Sequence, residues 1–439
     1  MTSERVRGDG WFTFSRLAIP AGASRALLLR RRHGLGAGGA CLAAAVGTMA
    51  GLPSAKALEA SDILAFSTGP LVLRPHLTVG EQFTDNILYN SRAQLSDFIT
   101  ITRPNLEVWL GRVGSENFLS ADYTLSHTHY AQHPEFDSLD HAVSLSETLR
   151  GNRLSADGTY EFGYLGGVYG GYSSFVQAAT TQSQSATRLS LNLDQKVAYG
   201  LSEKTGIYIR GTYTALDFRD RVAFLDTETT RGTLGFSYKA LRKTSFFGEV
   251  YYSQGAAGPN DPAVAKGPHL DFVGGFIGVE GTFTSKMKGS VKAGYEQAEA
   301  AGGRSKTQSP VVELSLTEEF SDKTALSLNY SRHSSLSVQT SGQTVVTDYA
   351  TLRLDQTLGT RGRLRVKSAL GYGRNDFGDS GPLKGRTDNY LRATLDVAYS
   401  FKLWLTAGIG YEFEKLMTAS RLNVDYSVNR VTLSLSIGY

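Results

Sequence analysis

Four arginines in the last quarter of the 439-residue sequence have the right chemistry to bind a solute: Arg353, Arg365, Arg392 and Arg430. A guanidinium group presents its donors in a fixed planar fork that fits carboxylates and phosphates. If all four face one compartment, they form a basic strip that favours an anionic solute. The same segments contain acids on the same alternation, namely Asp355, Asp396 and Glu412. An alternative therefore stays open, in which the arginines pair with these acids across neighbouring strands and fill the interior.

The sequence offers little for catalysis. In HTHY, His127 and His129 stand two residues apart and could present two imidazoles to a metal or supply a general base. No serine or carboxylate can be placed beside them from the sequence. The single cysteine, Cys41, lies in a segment that resembles a cleaved leader, so the mature chain would have no thiol. We therefore expect no enzyme activity, no metal and no cofactor.

The elements that position these residues are β-strands. In RTDNYLRATLDVAYSF (386–401), apolar residues alternate with mostly polar ones from Leu391 to Phe401, and a two-residue period is the pattern of a strand with two different faces. Similar segments cover nearly the whole chain from residue 71, and we predict eighteen: 71–88, 95–111, 116–130, 139–150, 153–165, 187–200, 204–217, 227–241, 244–255, 269–284, 287–298, 309–320, 323–336, 345–359, 363–377, 386–401, 403–416 and 424–439. Sixteen strands remain possible, because 139–150 and 153–165 are the weakest predictions.

The connections between these segments alternate between short and long. Short ones such as GN (151–152), SEK (202–204) and SDK (321–323) alternate with long polar ones such as VYGGYSSFVQAATTQSQSA (168–186). A soluble sandwich has no reason to separate its turns in this way, whereas an outer-membrane barrel has tight periplasmic turns and long external loops. We therefore predict an all-β fold, a transmembrane antiparallel up-and-down β-barrel, in which closure satisfies every backbone polar group in the hydrocarbon.

The N-terminal segment is typical of a signal peptide. Arg30, Arg31 and Arg32 precede the small, apolar run GLGAGGACLAAAVGTMAGL, and PSAKA follows with an A-x-A arrangement ending at Ala57. The predicted organisation is a signal peptide at 1–57, a short periplasmic segment at 58–70 and the barrel at 71–439. A transmembrane anchor is the alternative. The net charge of +4 includes the leader arginines, and no basic cluster resembles a nucleic-acid module.

Parity assigns the two faces of each strand. We expect the apolar side of 391–401 to face lipid and the arginines to face the lumen, unless bulges invert the pattern near Pro104 or between Tyr426 and Arg430. Aromatic residues at strand ends beside the tight turns suit the membrane interface: Tyr199, Phe283, Phe320, Tyr399, Phe401 and Tyr439. The final segment, NRVTLSLSIGY, ends on an aromatic and resembles the signal read by the barrel insertion machinery.

Two stretches near the start of the mature chain carry a resemblance to a family. LTVGEQFTDNILYN (77–90), with its Asp85-Asn86 pair, and LSDFITITRPNLEVWL (95–110), with Asp97, Phe98 and Pro104, resemble the beta-barrel porin 2 family of Gram-negative outer-membrane proteins. The resemblance implies an outer-membrane barrel associated with exopolysaccharide systems, and it supplies no catalytic residues.

Two functions are expected on this basis. The first is a conduit that exports an extracellular polysaccharide, with an anionic polymer favoured by the arginines and with a periplasmic export partner. The alternative is a general or solute-specific diffusion porin. In that case a long loop should fold inward and constrict the pore, and 166–186 is the candidate.

Overall fold

The computed structural model describes residues 66–111, 116–169, 184–220, 224–259, 267, 269–300, 306–337, 343–378, 383–418 and 425–438. The predicted signal peptide lies outside the described residues, as do 58–65 and Tyr439. Within the predicted segment 58–70, Phe66–Thr68 forms a short strand that pairs with the first residues of the barrel wall. The chain reverses at Gly69, whose φ of 58° lies in the left-handed region that glycine adopts without strain.

Eighteen strands form the wall, as the alternation predicts. In chain order they are β1 (Leu71–Thr84), β2 (Asp97–Leu110), β3 (Phe118–Tyr130), β4 (Ser138–Arg150), β5 (Leu154–Leu165), β6 (Arg188–Gly200), β7 (Thr205–Phe218), β8 (Asp226–Leu241), β9 (Thr244–Gly258), β10 (Leu270–Thr282), β11 (Met287–Ala300), β12 (Lys306–Ser321), β13 (Thr324–Leu336), β14 (Thr344–Leu358), β15 (Leu364–Asp376), β16 (Thr387–Lys402), β17 (Leu405–Thr418) and β18 (Tyr426–Ile437).

The wall is closed. Each strand pairs antiparallel with the next, and β18 pairs with β1 from Leu77–Ile437 to Thr84–Arg430. The predicted antiparallel up-and-down barrel of eighteen strands is confirmed, and sixteen is excluded, because β4 and β5 correspond to the two weakest predictions. We call the end with the tight connections the turn rim and the end with the long connections the loop rim.

The first strand is shorter than the predicted 71–88 because the chain turns at Asn86. Its side-chain amide donates to the carbonyls of Asn90 at 2.8 Å and Ser427 at 3.0 Å, and its carbonyl accepts from the N–H of Asn90 at 2.9 Å. An asparagine that bonds nearby backbone in this way offers the chain an alternative to the ladder. The chain therefore leaves the wall after Thr84.

Bulges do not invert the faces where the sequence left this open. Pro104 still pairs with Leu77, and the ladder to β3 resumes beyond it in the same register. The ladder between β17 and β18 is continuous from Tyr426 to Arg430. The register shifts in the described ladders lie beside tight turns, between Lys239 and Leu241, between Glu319 and Ser321, and between Ser400 and Lys402.

The outer face is apolar over most strands. Leu395 is 46% exposed on the outer side of β16, and Leu433 is 56% exposed on β18. Arg392 and Asp396 on the opposite side of β16 line an interior cavity, which confirms the predicted faces. Tyr199, Phe320, Tyr399 and Phe401 are exposed beside the turn rim, at the predicted positions. No helix in the described part of the chain is long and apolar enough to span a membrane.

This face assignment has a direct test in β16. We expect Leu395→Arg to lower the free energy of unfolding by about 2–4 kcal/mol, because it places a charge against lipid. The matched control, Thr394→Arg, puts the same side chain on the inner face and should cost less than about 1 kcal/mol. Urea titration in lipid vesicles, read on the heat-modifiable folded band, measures both. Equal losses would mean that the two faces of β16 are wrongly assigned.

Candidate functional site

The segment between β1 and β2 folds into the barrel. Tyr89, with a positive φ of 51°, packs edge-on against Tyr426 with the ring centroids 5.4 Å apart. Around this pair lie Tyr349, Tyr390 and Leu416, all on the inner face near the loop rim. The alternation of β16 shows that this is the inner face, because Tyr390 has the same parity as Arg392. The loop therefore covers part of the inner wall.

The β13–β14 hairpin also leaves the wall. The ladder between β12 and β13 ends at Val312–Arg332, whereas the ladder between β13 and β14 continues to Leu336–Thr344. Leu336 packs in a cluster with inner-face residues of β10 and β11. A Cβ at Gly255 of β9 would lie 2.6 Å from its Cδ1 atom, so the leucine side chain occupies the space over this glycine. The hairpin tip thus lies against the inner face of β9, β10 and β11.

The stem of the predicted constriction loop is a third inward element. Val168–Tyr169 pairs with Gln184–Ser185, and the Tyr169 ring contacts Phe218 at 5.1 Å and Phe224 at 5.0 Å. Phe218 is fully buried on the inner side of β7. The predicted loop at 166–186 therefore begins and ends against the inner wall, and its residues 170–183 lie outside the described part of the chain.

A polar cavity of about 410 Å³ opens on the inner wall formed by β14 to β18. Its lining includes the predicted residues Arg353, Arg392, Asp396 and Glu412. Strand register brings them together. One row of partners runs across five strands: Arg353–Ala369, Ala369–Thr394, Thr394–Glu412 and Glu412–Arg430. Arg392 and Asp396 stand two residues on either side of Thr394 on β16.

Two of the arginines are held by two glutamates. Arg430 lies 2.9 Å from Glu412 and 3.5 Å from Glu414, and Arg392 lies 3.0 Å from Glu412 and 3.8 Å from Glu414. The Glu414 side chain is 3% exposed and that of Arg430 is 14% exposed. We call these four residues the arginine–glutamate cluster. They form the cross-strand pairing that the sequence left open as the alternative to solute binding.

Tyr89 contacts the arginine–glutamate cluster from the side of the loop rim. The guanidinium of Arg430 donates to its hydroxyl oxygen and lies 5.1 Å from the centre of its ring. Burial raises the pKa of Tyr89 to about 12, although the charge of Arg430 opposes this. The hydroxyl therefore stays neutral at physiological pH and accepts from the arginine. This residue was not predicted from the sequence, because it belongs to a loop, where the alternation of strands gives no signal.

Arg353 differs from these arginines. Its side chain is exposed in the cavity, and no carboxylate among the described residues lies within ion-pair distance of it. Asp355 and Asp396 both stand opposite Lys367, one on each neighbouring strand. The role of these residues in binding a solute stays a prediction.

Arg365 does not join the others. It stands on β15 four residues from Ala369, the partner of Arg353, so the two rows are about 13 Å apart along the strand. The four arginines expected to form a basic strip therefore do not share one row, because parity places a residue on a face but does not set its height.

A second charged region lies on the inner wall of β6 to β12. Asp194 pairs with Arg210 and Glu313 with Lys292, with an N–O distance of 2.9 Å in the second pair. The hydroxyl of Tyr251 donates to Glu296 at 2.7 Å. Tyr251 and Glu296 were not predicted from the sequence, although both are on inward positions that the alternation of β9 and β11 indicates.

The two histidines lie outside the lumen. His127 and His129 share one face of β3 as predicted, but it is the outer face near the loop rim. His129 bonds Asp137 in the following loop at 2.7 Å. Burial acts to raise the pKa of Asp137, and hydrogen bonds from the Tyr130 N–H and from His129 outweigh it and hold this pKa below its usual value. Among the described residues, no group of histidines and carboxylates could hold a metal.

Comparison with known proteins finds similarity only among solved structures. No family model and no curated protein matches the sequence. Pseudomonas aeruginosa OpdO is 12% identical, with 83% of this chain and 97% of that chain covered and a TM-score of 0.45. Acinetobacter baumannii OccAB4 is 10% identical, with 84% and 99% covered and a TM-score of 0.44.

A third similar structure is that of Pseudomonas aeruginosa OccK2 (OpdF), solved in complex with glucuronate. It is 9% identical, with 83% of this chain and 98% of that chain covered and a TM-score of 0.41. At such identities and TM-scores these similarities assign no family to the chain. The resemblance to the beta-barrel porin 2 family is not confirmed.

The arginine–glutamate cluster predicts unequal effects of two similar substitutions. Arg430→Met leaves Glu412 and the buried Glu414 sharing one arginine, and we expect a loss of about 3 kcal/mol in the free energy of unfolding. Arg353→Met breaks no ion pair and should change it by less than about 1 kcal/mol. Urea unfolding in vesicles measures the difference. A loss at Arg353 as large as that at Arg430 would contradict the distinction between a paired and an unpaired arginine.

Proposed function

We propose that the protein is an outer-membrane pore through which small polar solutes diffuse, with a preference for solutes that carry a carboxylate or phosphate. Arg353 carries this proposal. It offers a guanidinium fork in the cavity of about 410 Å³ without a carboxylate partner among the described residues. In this arrangement the loop rim is the external side and the turn rim is periplasmic.

The inward segments support a small solute. A barrel of this strand number is wide enough for an aqueous channel when nothing fills it. Here the loop that carries Tyr89, the hairpin tip at Leu336 and the stem at Tyr169 all lie on the inner face near the loop rim. They narrow the path above the cavity, which favours a solute-specific porin over a wide conduit.

The arginine–glutamate cluster contributes indirectly. Glu412 and Glu414 form ion pairs with Arg392 and Arg430. These two arginines therefore fix the shape of the cavity wall. Arg353 stands on the same row and remains available to the solute. A carboxylate held there would pair with the Arg353 guanidinium, which has no described carboxylate within ion-pair distance.

Export of a polysaccharide has no support among the described residues. A polymer needs a continuous open path past the loop rim, and the inward segments obstruct that path. The expected periplasmic export partner likewise has no support. The preference for the porin therefore rests on the shape of the lumen and on Arg353.

The test compares a charged and a neutral solute of similar size in proteoliposomes. Arg353→Ala should slow the entry of gluconate relative to glucose about fivefold, as expected from losing roughly 1 kcal/mol of a charge-assisted contact. The control is Arg365→Ala, which removes the same group about 13 Å nearer the turn rim and should leave the ratio nearly unchanged. An unchanged ratio in Arg353→Ala would reject Arg353 as the solute contact, and rapid entry of dextran would reject the narrow pore.

A further inference from the structure

One sector of the outer face carries three neighbouring polar side chains among apolar ones. On β4, β5 and β6 the outward residues include leucines, valine and aromatic residues, and among them stand Glu147, Tyr160 and Gln195. Gln195 has Leu193 and Val197 on either side of it. On β16 and β18, in contrast, the outward residues across the same belt are apolar: Leu391, Ala393, Leu395, Val397, Val431, Leu433 and Leu435.

The three polar side chains contact one another. The hydroxyl of Tyr160 lies 3.3 Å from Oε1 of Glu147 and also contacts Oε1 of Gln195. A hydroxyl has one proton, so it cannot donate to both oxygens. The amide nitrogen of Gln195 reaches only backbone carbonyls, at 3.3 Å and 3.5 Å. The group therefore keeps an acceptor on Glu147 and a weakly used donor on Gln195.

Lipid is a poor cover for this group. Hydrocarbon supplies no hydrogen bonds, and a carboxylate or amide facing it is costly unless protein or water covers the site. The occupant of this surface must itself lie in the membrane, and it must bring both a donor and an acceptor. The same three side chains on a second copy meet both conditions.

Strand register makes the patch complementary to itself. Glu147 pairs with Gly158, and Gly158 pairs with Gln195, so the acceptor and the donor stand in one row on either side of β5. Two barrels inserted in the same direction are related by a two-fold axis parallel to the barrel axis. With β5 on that axis, Glu147 of each copy faces Gln195 of the other. Gly158 carries no side chain at the centre, which lets the two walls approach closely.

We propose that the outer face of β4 to β6 binds a second copy of this chain within the membrane, with β5 against β5. The hydrogen bonds between Glu147 and Gln195 then cross the two-fold axis twice. Gly158 also leaves room within each copy, since a Cβ there would lie 2.7 Å from both the Tyr160 hydroxyl and the side-chain oxygen of Gln195. The interface leaves the lumen untouched, so each copy keeps its own pore.

Cysteine cross-linking tests this arrangement. In the full chain with Cys41→Ser, Ala156→Cys places a thiol on the outward side of β5, two residues from Gly158. The matched control, Ala393→Cys, places one on the outward side of β16. Under mild oxidation in lipid vesicles at a high lipid-to-protein ratio, we expect a disulfide-linked dimer from Ala156→Cys and none from Ala393→Cys. Equal yields from both, or a cross-link from Ala156→Cys to a different protein, would overturn the proposal.

A second variant tests whether the dimer depends on the polar side chains Glu147 and Gln195. Adding Glu147→Leu and Gln195→Leu to Ala156→Cys should remove most of the cross-linked dimer while the heat-modifiable folded band persists. Light scattering of the purified protein without the cysteine should show two copies for the native sequence and one for the double leucine variant. A single copy for the native sequence, or a double variant that still dimerises fully, would contradict the proposed contact.

Discussion

The requirement that every backbone polar group in hydrocarbon has a partner governs this molecule, and the seam between β1 and β18 is where it is met. Eight residue pairs join the two strands, from Leu77–Ile437 to Thr84–Arg430. At the loop rim, Asp85 accepts from the N–H of Asn429 at 2.8 Å and from its side chain at 2.6 Å, so the ends of the chain's first and last strands are tied together. Without this seam the sheet would have two open edges in the bilayer. With it, each strand has one face for lipid and one for the lumen.

Closure also creates an interior that must be occupied by something compatible with water and charge. The chain fills it in two ways: charged side chains pair across strands, and segments at the loop rim fold inward. Glu412 and Glu414 offset the charge of Arg392 and Arg430, whereas Arg353 on the same row stays unpaired among the described residues. The same wall therefore contains two arginines that pair with glutamates and one that has no carboxylate within ion-pair distance among the described residues. The register between neighbouring strands decides which arginine lies beside a glutamate.

The strand number and the two faces were predictable because the two-residue period is a local property of the backbone. Leu395 and Arg392 fell on the predicted sides, and even Pro104 did not disturb the pattern. The height of each residue was not predictable, because it depends on the register between strands. The sequence alone therefore did not show that Arg365 lies about 13 Å from the row of Arg353. The inward path of the loop containing Tyr89 was also missed, since it depends on contacts with the distant Tyr426 and Arg430. Asn86 is the one local signal that could have ended β1 earlier.

If the inward segments narrow a wide barrel to a pore for small solutes, the single-channel conductance of the protein in planar bilayers should depend on the size of neutral polymers added to the bath. We expect a steady conductance that short polyethylene glycols reduce by entering the lumen from the external side, and that long ones leave unchanged because they are excluded. A conductance that long polymers reduce as strongly as short ones would contradict it, because such chains would be passing the segments at Tyr89 and Leu336.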